Sequence, residues 1–461
     1  MTQWIPTLER RRREIYLELA EKMAGAIRSG ELKPGEQLPT QRNMADKLGI
    51  TVGTVGRAYM LVEQQGLISG EVGRGSFVRG PAAAVRNPKL EPALENVIDL
   101  SVNASLSGFH GEALSRTLAE LSRADGLEQL LRYMTPPWQA AHRAAASEWL
   151  AQLGLPIDPE RIVLTNGAQQ GIASAFAALL EPGEQALSET LTYTGIIDDA
   201  NRSGHALKGV ATDREGMRPD ALDRAAAETG ARVVFLQPTI HNPTCTTMSE
   251  ARRREIVAVA RRRNLLLVED DVYGLLPERR PPPIAALAPE RTVYITSGSK
   301  SMAPGLRVGW IFAPENLVRR LDEARYAMTG SLSSVVFEIA RRWIADGTAA
   351  EIMRRLRRET AARQALARTH LAGLTFDADP GAFHVLLHLA DPWRREDFVQ
   401  AALAQGVRVV SASAFVIGRE VAPHAVRVSL AAARDQATLE SALKTLAELA
   451  QSRPGVRRAV V

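Results

Sequence analysis

The sequence contains little cysteine and no long apolar run. Its one cysteine, Cys245, excludes an intrachain disulfide and a metal site built from several cysteines. No stretch reaches the about 18 consecutive apolar residues that a membrane-spanning helix needs. The first residues include a run of arginines at 10–13 where a signal peptide would have an apolar core. These absences favour a cytoplasmic protein without membrane spans.

The composition is otherwise that of a globular protein with more than one domain. Apolar residues make up 45% and charged residues 24% of the chain, which are ordinary values. A length of 461 residues predicts two or three domains. The net charge of +5 is compatible with a polyanionic partner but does not require one.

The first 80 residues have the pattern of three helices and a β-hairpin. Apolar residues recur at four-residue intervals over 15–27, which predicts an amphipathic helix. A second short helix follows Thr40, and a third covers 52–65. Two short apolar runs, 67–69 and 76–78, predict the strands of a hairpin. This order is typical of a winged helix-turn-helix.

In that arrangement the third helix is the natural occupant of a DNA major groove. Small residues let hydroxyl and backbone groups approach phosphates, and arginines can bind guanine edges. The candidate DNA-binding residues are Thr40, Arg42, Thr51, Thr54, Arg57 and Arg74. From these residues alone, a small basic three-helix unit that only packs against other domains is an equal alternative.

Specific motifs strengthen the DNA-binding interpretation. The segments GEQLPTQRNMA at 35–45, TVGRAY at 54–59 and GRGSFV at 73–78 resemble the GntR-type winged helix. The resemblance covers nearly all of residues 12–79 and implies a double-stranded DNA operator as partner. One departure is Gly53, where that family usually carries a polar residue such as arginine. The departure suggests a different operator.

The next segment has the composition of a tether. It contains Pro81, Pro88 and Pro92 with several alanines and few large apolar residues. We therefore predict a DNA-binding domain at 1–79, a linker at 80–97 and a second domain at 98–461.

The second domain alternates apolar strand-like runs with helical stretches. Such runs occur at 161–164, 233–236, 265–268 and 293–295, and each is followed by polar residues. Continuous apolar strands separated by helices predict an α/β fold with a mostly parallel central sheet. In open α/β sheets the ligand binds beyond the carboxyl ends of the strands. The polar segments are therefore expected to meet at one crevice.

The run TSGSKSMAPGLRVG at 296–309 carries the chemistry expected in that crevice. The amine of Lys300 can condense with the aldehyde of pyridoxal 5'-phosphate (PLP) to form an internal aldimine. The hydroxyls of Ser297 and Ser299 and the guanidinium of Arg307 can hold the cofactor's phosphate.

Two further segments complete the predicted phosphate and ring contacts. A helix starts after the strand at 161–164, and the backbone N–H groups of Ala168 and Gln169 at its N-terminus can bind phosphate. Tyr193 is predicted to stack on the cofactor ring, although a lone tyrosine more often serves in core or surface packing.

Three polar residues have predicted roles around the ring. Asp270 would pair with the protonated pyridine nitrogen and preserve its electron-withdrawing character. Asn242 and Tyr273 would bind the ring oxygen through hydrogen bonds. Taken alone, Asp270 could equally be a helix cap or half of a salt bridge.

Together these motifs resemble the fold-type I PLP enzymes, in the class I aminotransferase branch, over about residues 98–450. The matching motifs are NGAQQ at 166–170, TY at 192–193, HNPT at 241–244, DDVY at 270–273, the lysine run and VRV at 426–428. The resemblance implies a Schiff base at Lys300. It also implies a large domain at roughly 130–330, with a small domain formed by 98–129 and 331–461.

The same resemblance implies a substrate site and a second subunit. Arg427 would bind a substrate carboxylate with Asn242 beside it, the alternative being an arginine in a surface salt bridge. Tyr133 would reach the phosphate of a neighbouring subunit, which implies a homodimer with shared sites. The chain has Cys245 and Gln139 where the family commonly has glycine, so the substrate side of the site is expected to differ.

A GntR-type winged helix followed by an aminotransferase-like domain resembles the MocR group of bacterial regulators. This resemblance implies a DNA-binding transcriptional regulator that senses an amino compound by aldimine exchange at Lys300. A working aminotransferase acting on an amino acid, with the DNA-binding module secondary, is the main alternative. A third possibility is a DNA-binding protein whose second domain serves only as a dimerisation scaffold.

Overall fold

The computed structural model describes residues 4–8, 15–33, 35–64, 67–71, 75–78, 96–106, 108, 110–134, 136–155, 157–418 and 420–452. The chain divides into two compact units, residues 1–92 and 93–461, which are described separately. No helix in the described part of the chain is long and apolar enough to cross a membrane.

The described residues of the N-terminal unit form three helices and one hairpin, as predicted. Its elements are α1 (Ile15–Ser29), α2 (Gln41–Leu48), α3 (Val52–Gln64), β1 (Ile68–Glu71) and β2 (Gly75–Val78). The two strands pair antiparallel. Leu19, Met23 and Ile27 of α1 are almost fully buried in the core of the unit, so the four-residue apolar repeat marks the packed face of the helix.

Hydroxyl groups fix the start of the second helix and its contact with the third. The Thr40 hydroxyl accepts a hydrogen bond from the Asn43 N–H at 3.2 Å and so caps α2. Gly49 ends that helix with a φ of 64°, a conformation that suits glycine. From α3, the buried Tyr59 hydroxyl donates to the Pro39 carbonyl at 2.7 Å. This bond ties the third helix to the start of the second.

The larger unit alternates helices and strands. Its helices are α4 (Gly111–Leu121), α5 (Pro136–Ala151), α6 (Gly167–Leu179), α7 (Thr194–Ser203), α8 (Pro219–Thr229), α9 (Glu250–Arg263), α10 (Ile284–Leu287), α11 (Glu315–Thr329), α12 (Ser334–Ala345), α13 (Thr348–His370), α14 (Arg395–Ala404) and α15 (Gln436–Gln451). Its strands are β3 (Ile98–Asp99), β4 (Ile162–Thr165), β5 (Gln185–Glu189), β6 (Ala206–Val210), β7 (Thr212–Asp213), β8 (Gly216–Met217), β9 (Val233–Leu236), β10 (Leu266–Asp270), β11 (Thr292–Ser297), β12 (Gly309–Phe312), β13 (Phe376–Asp377), β14 (His384–His388), β15 (Val407–Arg408), β16 (Val410–Ser411) and β17 (Ala425–Ser429).

A seven-stranded sheet forms the centre of this unit, with strand order β4-β12-β11-β10-β9-β5-β6. Its pairs are parallel except those on either side of β12, which runs antiparallel to both neighbours. The predicted mostly parallel sheet is therefore confirmed. Because β4, β10 and β11 run in the same direction, the residues that follow them lie along one edge of the sheet.

Alternation along β9 shows why these strands are continuously apolar. Val233 and Phe235 pack into the cluster that contains residues of α6 and α11, whereas Val234 and Leu236 pack into the cluster of α8 and α9. Both faces of the sheet are thus covered by helices here, and every residue of β9 is buried on one face or the other.

A smaller antiparallel sheet has the order β13-β14-β17-β16. In its central pair, Leu386 of β14 lies opposite Arg427 of β17. Nearby, β3 pairs in parallel with β15. The residues just after β3 are thereby carried past β17, because the Ser429 N–H donates to the carbonyl of Leu100 at 2.9 Å.

Candidate functional site

Three consecutive buried acidic residues lie at the carboxyl end of β10, and the first and third have structural partners. The Glu269 carboxylate accepts the N–H groups of Ile284 and Ala285 at 2.9 and 2.8 Å, which caps α10. The Asp271 carboxylate accepts the Tyr294 hydroxyl at 2.9 Å. Asp271 also pairs with Arg280 at 3.3 Å, while its other oxygen, Oδ1, has no hydrogen-bond partner among the described residues. The roles of helix cap and salt-bridge partner therefore belong to Glu269 and Asp271.

Asp270, the middle residue of the three, has a different environment. One carboxylate oxygen, Oδ2, accepts a hydrogen bond from the Gln237 side chain at 2.7 Å. The other, Oδ1, is buried and has no hydrogen-bond partner among the described residues. Burial raises the pKa of Asp270 to about 7, while the hydrogen bond from Gln237 acts in the opposite direction. A buried oxygen without a partner is unfavourable, so this position is suited to a cationic or N–H ligand group.

A second buried carboxyl group, that of Glu189, contacts the backbone of Gln237. The Gln237 backbone N–H donates to the Glu189 carboxylate at 3.1 Å, and both residues are almost fully buried. Burial raises the pKa of Glu189 to about 7. Sequence reasoning missed both residues, although Gln237 directly follows β9 and Glu189 ends β5 at the same edge of the sheet.

Lys300 lies three residues beyond the end of β11, within the crevice. Its Nζ is 5.8 Å from the centre of the Tyr273 ring and 5.6 Å from that of Phe383. The ammonium also donates to the backbone carbonyl of Asn103. The charge of Lys300 acts to lower the pKa of Asp270, so these two predicted site residues interact electrostatically.

The predicted phosphate-binding residues form a cup at the N-terminus of α6. Arg307 donates to the Asn166 carbonyl at 3.1 Å and to the Ser299 hydroxyl at 3.4 Å. The Ser297 hydroxyl accepts the Ser299 N–H at 3.4 Å. Gly167 has a φ of 76°, and a Cβ there would lie 2.7 Å from the Arg307 guanidinium. The close approach of this arginine to the helix N-terminus therefore requires glycine.

Ala168 and Gln169 occupy the first turn of α6, next to Tyr193 at the start of α7. The Gln169 side chain donates to the Gly195 carbonyl at 3.0 Å. A Cβ on Gly195 would lie 2.2 Å from the Gln169 side-chain oxygen and 2.4 Å from the Tyr193 ring. The two side chains thus share the space that Gly195 leaves. Burial raises the pKa of Tyr193 to about 12, so its hydroxyl keeps its proton at neutral pH.

Arg427 and Asn242 are joined directly. The Arg427 guanidinium donates to the Asn242 side-chain oxygen at 3.1 Å and to the Ser101 carbonyl, and it lies 5.0 Å from the centre of the Phe415 ring. Burial lowers the pKa of Arg427 to about 10, which leaves it charged at neutral pH. Within the described residues it forms no salt bridge, in contrast to the surface ion pair considered above.

Four of the candidate DNA-binding residues lie at the starts of α2 and α3, and Arg57 lies near the middle of α3. Arg42 and Arg57 are exposed, and the Arg57 guanidinium lies 5.8 Å from the Tyr16 ring centre. The Thr51 and Thr54 hydroxyls are 2.9 Å apart, and Thr51 also caps α3 through the Thr54 N–H at 3.2 Å. Thr40 combines an exposed position with its capping bond.

Arg74, the candidate in the wing, lies outside the described residues. The remaining candidates lie on two neighbouring helices of the helix-turn-helix, α2 and α3. Threonine hydroxyls and exposed arginines at helix starts can contact phosphates and base edges.

Comparison with known families agrees with this architecture. Residues 95–446 match the family described as aminotransferase class I and II, which is more than half of the chain. The chain belongs to the class I and II aminotransferase family. Residues 15–78 match the family of bacterial regulatory proteins, gntR family, so the N-terminal unit is a GntR-type helix-turn-helix.

Individual proteins share the combination. An uncharacterized HTH-type transcriptional regulator, YdeF of Bacillus subtilis (strain 168), is 29% identical over 97% of this chain and 96% of its own. A probable rhizopine catabolism regulatory protein, MocR of Rhizobium meliloti, is 25% identical over 85% of each chain. The kynurenine aminotransferase structure of Pyrococcus horikoshii, in complex with PMP, matches with a TM-score of 0.71 at 23% identity, over 79% of this chain and 95% of that one. The predicted MocR-type architecture is confirmed.

PLP is the cofactor of this aminotransferase family, and the residues of this chain fit it. The Oδ1 atom of Asp270 lacks a partner within the described part of the chain, as an atom that binds a protonated ring nitrogen would. The glycine at 167 leaves a cradle that a Cβ would fill, lined by Arg307 and a helix N-terminus. The separate residue roles remain predictions.

Tyr133 does not join the crevice residues within one aminotransferase unit. Its side chain is 86% exposed. The residue lies just after a short 3-10 helix that ends at Leu131, whose side chain is 84% exposed. Two neighbouring apolar side chains at such exposure are compatible with the predicted contact with another subunit.

Two further residues lie beside the site, of which one, Cys245, departs from the usual aminotransferase pattern. Cys245 is buried with a φ of 59°, and its thiol contacts the His384 carbonyl at 3.3 Å. Asn103 was missed by sequence reasoning, yet it contacts Tyr273, His384 and Lys300. No local motif marks Asn103, because its partners are distant in the sequence.

Proposed function

We propose that this protein is a PLP-dependent transcriptional regulator that binds operator DNA through residues 1–79 and an amino compound in the crevice at Lys300. The observation that carries the proposal is the environment of Asp270. It is buried, it forms no salt bridge among the described residues and its Oδ1 has no hydrogen-bond partner there, whereas Glu269 caps α10 and Asp271 pairs with Arg280. The same chain contains a GntR-type DNA-binding unit, which supports a regulatory role for the bound cofactor.

When bound, PLP supplies an aldehyde that forms a reversible covalent bond with an amine. Lys300 is the proposed amine of the protein, since its Nζ lies over the Tyr273 ring within the crevice. Asp270 would pair with the ring nitrogen, and Tyr273 and Asn242 would donate to the ring oxygen. Tyr193 would cover one face of the ring. It lies at the N-terminus of α7, beside the Gln169 side chain.

The phosphate would be held by the cup at the start of α6. Backbone N–H groups of Ala168 and Gln169 point out of a helix N-terminus and favour an anion there. The hydroxyls of Ser297 and Ser299 and the Arg307 guanidinium add charge-assisted hydrogen bonds.

The ligand is proposed to be an amino acid or another amine that carries a carboxylate. Arg427 is charged, buried and free of any carboxylate partner among the described residues, which suits it to pair with a carboxylate from solution. Asn242 and the Ser101 carbonyl each accept a hydrogen bond from one terminal nitrogen of the guanidinium, and its Nε has no hydrogen-bond partner among the described residues. An incoming amine would compete with Lys300 for the cofactor.

We also propose a homodimer. The support is the exposure of Tyr133 and Leu131 and, on α11, of Tyr326 at 61% and Met328 at 42%. Two-fold pairing would cover such side chains and bring two DNA-binding units onto one operator. Light scattering of purified protein tests this, with a monomer mass as the contradicting result.

Regulation follows if ligand-bound and ligand-free proteins hold DNA with different affinity. The coupling between the two sites must then be reciprocal, and about 1–3 kcal/mol would change DNA affinity roughly 5–150-fold. The test is fluorescence anisotropy of a duplex from upstream of the protein's own gene, with PLP present and amino compounds added singly. The proposal expects one class of amine to change the midpoint, and an unchanged midpoint across all of them opposes it.

An active aminotransferase is the second candidate, favoured by one observation. The crevice contains both a lysine positioned over Tyr273 and a buried arginine suited to a carboxylate, and transamination needs both. Mixing the PLP-loaded protein with amino acids distinguishes the two functions. Stoichiometric release of keto acid supports turnover, whereas a stable spectral change without keto acid supports sensing.

A further inference from the structure

Asn103, which has none of the predicted site roles, contacts residues of the crevice. Asn103 lies four residues after β3, and its side-chain nitrogen Nδ2 donates to the Tyr273 hydroxyl at 2.6 Å. Its side-chain oxygen accepts the Ser429 hydroxyl at 3.5 Å, so both ends of the amide have partners and the nitrogen end faces Tyr273. The residue therefore has a defined orientation with respect to Tyr273.

The polarity of the Tyr273 hydroxyl follows from this bond. A phenolic hydroxyl has one proton and accepts through its oxygen lone pairs. Because Tyr273 accepts from Asn103, its proton is not used in that bond and can be donated elsewhere. Burial raises the pKa of Tyr273 far above its usual value, so the proton remains on the hydroxyl.

The same amide nitrogen also sets the state of a neighbouring histidine. Asn103 Nδ2 lies 3.2 Å from Nδ1 of His384, which is fully buried. A donor at that distance requires an unprotonated Nδ1, so the ring carries its proton on Nε2. Burial and the Arg427 charge hold the pKa of His384 well below its usual range, which keeps the ring neutral. A neutral ring adds no further charge between Lys300 and Arg427.

We propose that Asn103 is a positioning residue for the cofactor site, which orients the Tyr273 hydroxyl as a hydrogen-bond donor toward the PLP ring oxygen. This inference rests on the proposed PLP site, and the proposed effect on the cofactor is exerted through the Tyr273 hydroxyl. A donor to the ring oxygen stabilises the bound cofactor in the form that has lost its proton. Weakening that donor raises the pH at which the visible absorption of bound PLP titrates.

The test is a pH titration of that absorption in the full-length, PLP-loaded protein. Asn103→Ala removes the donor, and we expect the midpoint to rise by about 0.5–1 pH unit, the equivalent of one hydrogen bond. Asn103→Asp has similar size but can only accept from Tyr273, which turns the proton away, so a larger rise is expected. Ser429→Ala, which loosens the amide, should give a smaller rise in the same direction.

A double-mutant comparison separates positioning from a general structural effect. In a Tyr273→Phe background the hydroxyl is absent, so adding Asn103→Ala should leave the midpoint of that variant unchanged. The exposed Asn201→Ala on α7 serves as the control and should titrate as the wild type. Thermal unfolding of each variant checks that the fold is retained.

Each outcome decides a different point. A wild-type midpoint retained in Asn103→Ala and Asn103→Asp overturns the role of Asn103 while leaving the proposed function intact. An equal shift from Asn103→Ala with and without the Tyr273 hydroxyl overturns it as well. A wild-type protein that acquires no visible band with PLP overturns both the inference and the cofactor site on which it rests.

Discussion

The Arg427 guanidinium donates to the side-chain oxygen of Asn242 at 3.1 Å, which joins the small antiparallel sheet to the loop after β9. The arginine proposed to bind a ligand carboxylate is therefore held by a residue proposed to contact the cofactor. A ligand that binds Arg427 must act on both parts of the unit at once. We propose this contact as the route by which ligand binding would change their relative position.

Replacing Arg427 should separate cofactor binding from ligand response. Arg427→Met removes the charge from a buried position, and we expect loss of the spectral response to amino acids while PLP is retained. Loss of a charge-assisted bidentate contact corresponds to about 1.5–3 kcal/mol, or roughly 10–150-fold in ligand affinity. Spectral titration with amino acids measures this. The control is Arg319→Met, whose side chain is 90% exposed. Equal responses in both variants would rule out Arg427 as the carboxylate site.

Asp270 should determine how tightly PLP binds. Asp270→Asn keeps the size of the side chain and its contact with Gln237 but removes the charge that would pair with the ring nitrogen. We expect PLP affinity to fall by about 10–100-fold, the value of a hydrogen bond between charged groups. Equilibrium dialysis gives this number directly. Unchanged affinity in a folded variant would show that the cofactor ring is held elsewhere.

The cradle at the start of α6 makes a steric prediction. Gly167→Ala places a Cβ 2.7 Å from the Arg307 guanidinium and should displace it from the phosphate cup, which weakens PLP binding by at least about tenfold. Gly183→Ala is the matched control, because Gly183 also has a positive φ, 87°, but a Cβ there meets nothing within 4 Å. Both variants carry backbone strain of about 1 kcal/mol. If both lower PLP affinity equally, strain explains the effect and the cradle does not.

The buried Glu189 carboxyl should make stability depend on pH. Its pKa in the folded state, about 7, lies above the ordinary value of 4.5. The folded state therefore binds more protons between these values, and the stabilisation present below 4.5 is lost as pH rises through 7. Glu189→Gln, which mimics the protonated form, should match the wild type near pH 5 and exceed it by about 1–3 kcal/mol near pH 8.

Thermal unfolding of the PLP-free protein at both pH values measures that difference. Exposed Glu148→Gln is the control and should follow the wild type at each pH. A Glu189→Gln variant that is less stable than the wild type near pH 8 would show that the ionised carboxylate is favourable where it lies.

The sequence predicts which segments meet where the direction of the strands determines their position. Because parallel strands end at one edge, the segments at Asp270 and Lys300 could be placed together before any coordinates were known. The rule could not distinguish Asp270 from Glu269 and Asp271, since all three are acidic, buried and adjacent. Only their hydrogen-bond partners separate them, and those partners come from other elements.

Asn103 shows the opposite case. It is separated from Tyr273 by 170 residues and from His384 by 281, and no repeat or motif connects these positions. Their contact depends on how β3 pairs with β15 and how β14 lies against β17. Such contacts arise from tertiary packing, which the local pattern of a sequence does not specify.

The central claim, that an amine bound at Lys300 and Arg427 changes DNA binding, has one direct test. Fluorescence anisotropy would follow the full-length, PLP-loaded protein on its own upstream duplex at fixed salt, with and without the amino compound that alters its spectrum. We expect a shift of roughly 5–150-fold in the midpoint for the wild type and none for Arg427→Met. Identical midpoints for the wild type with and without that compound would contradict the account.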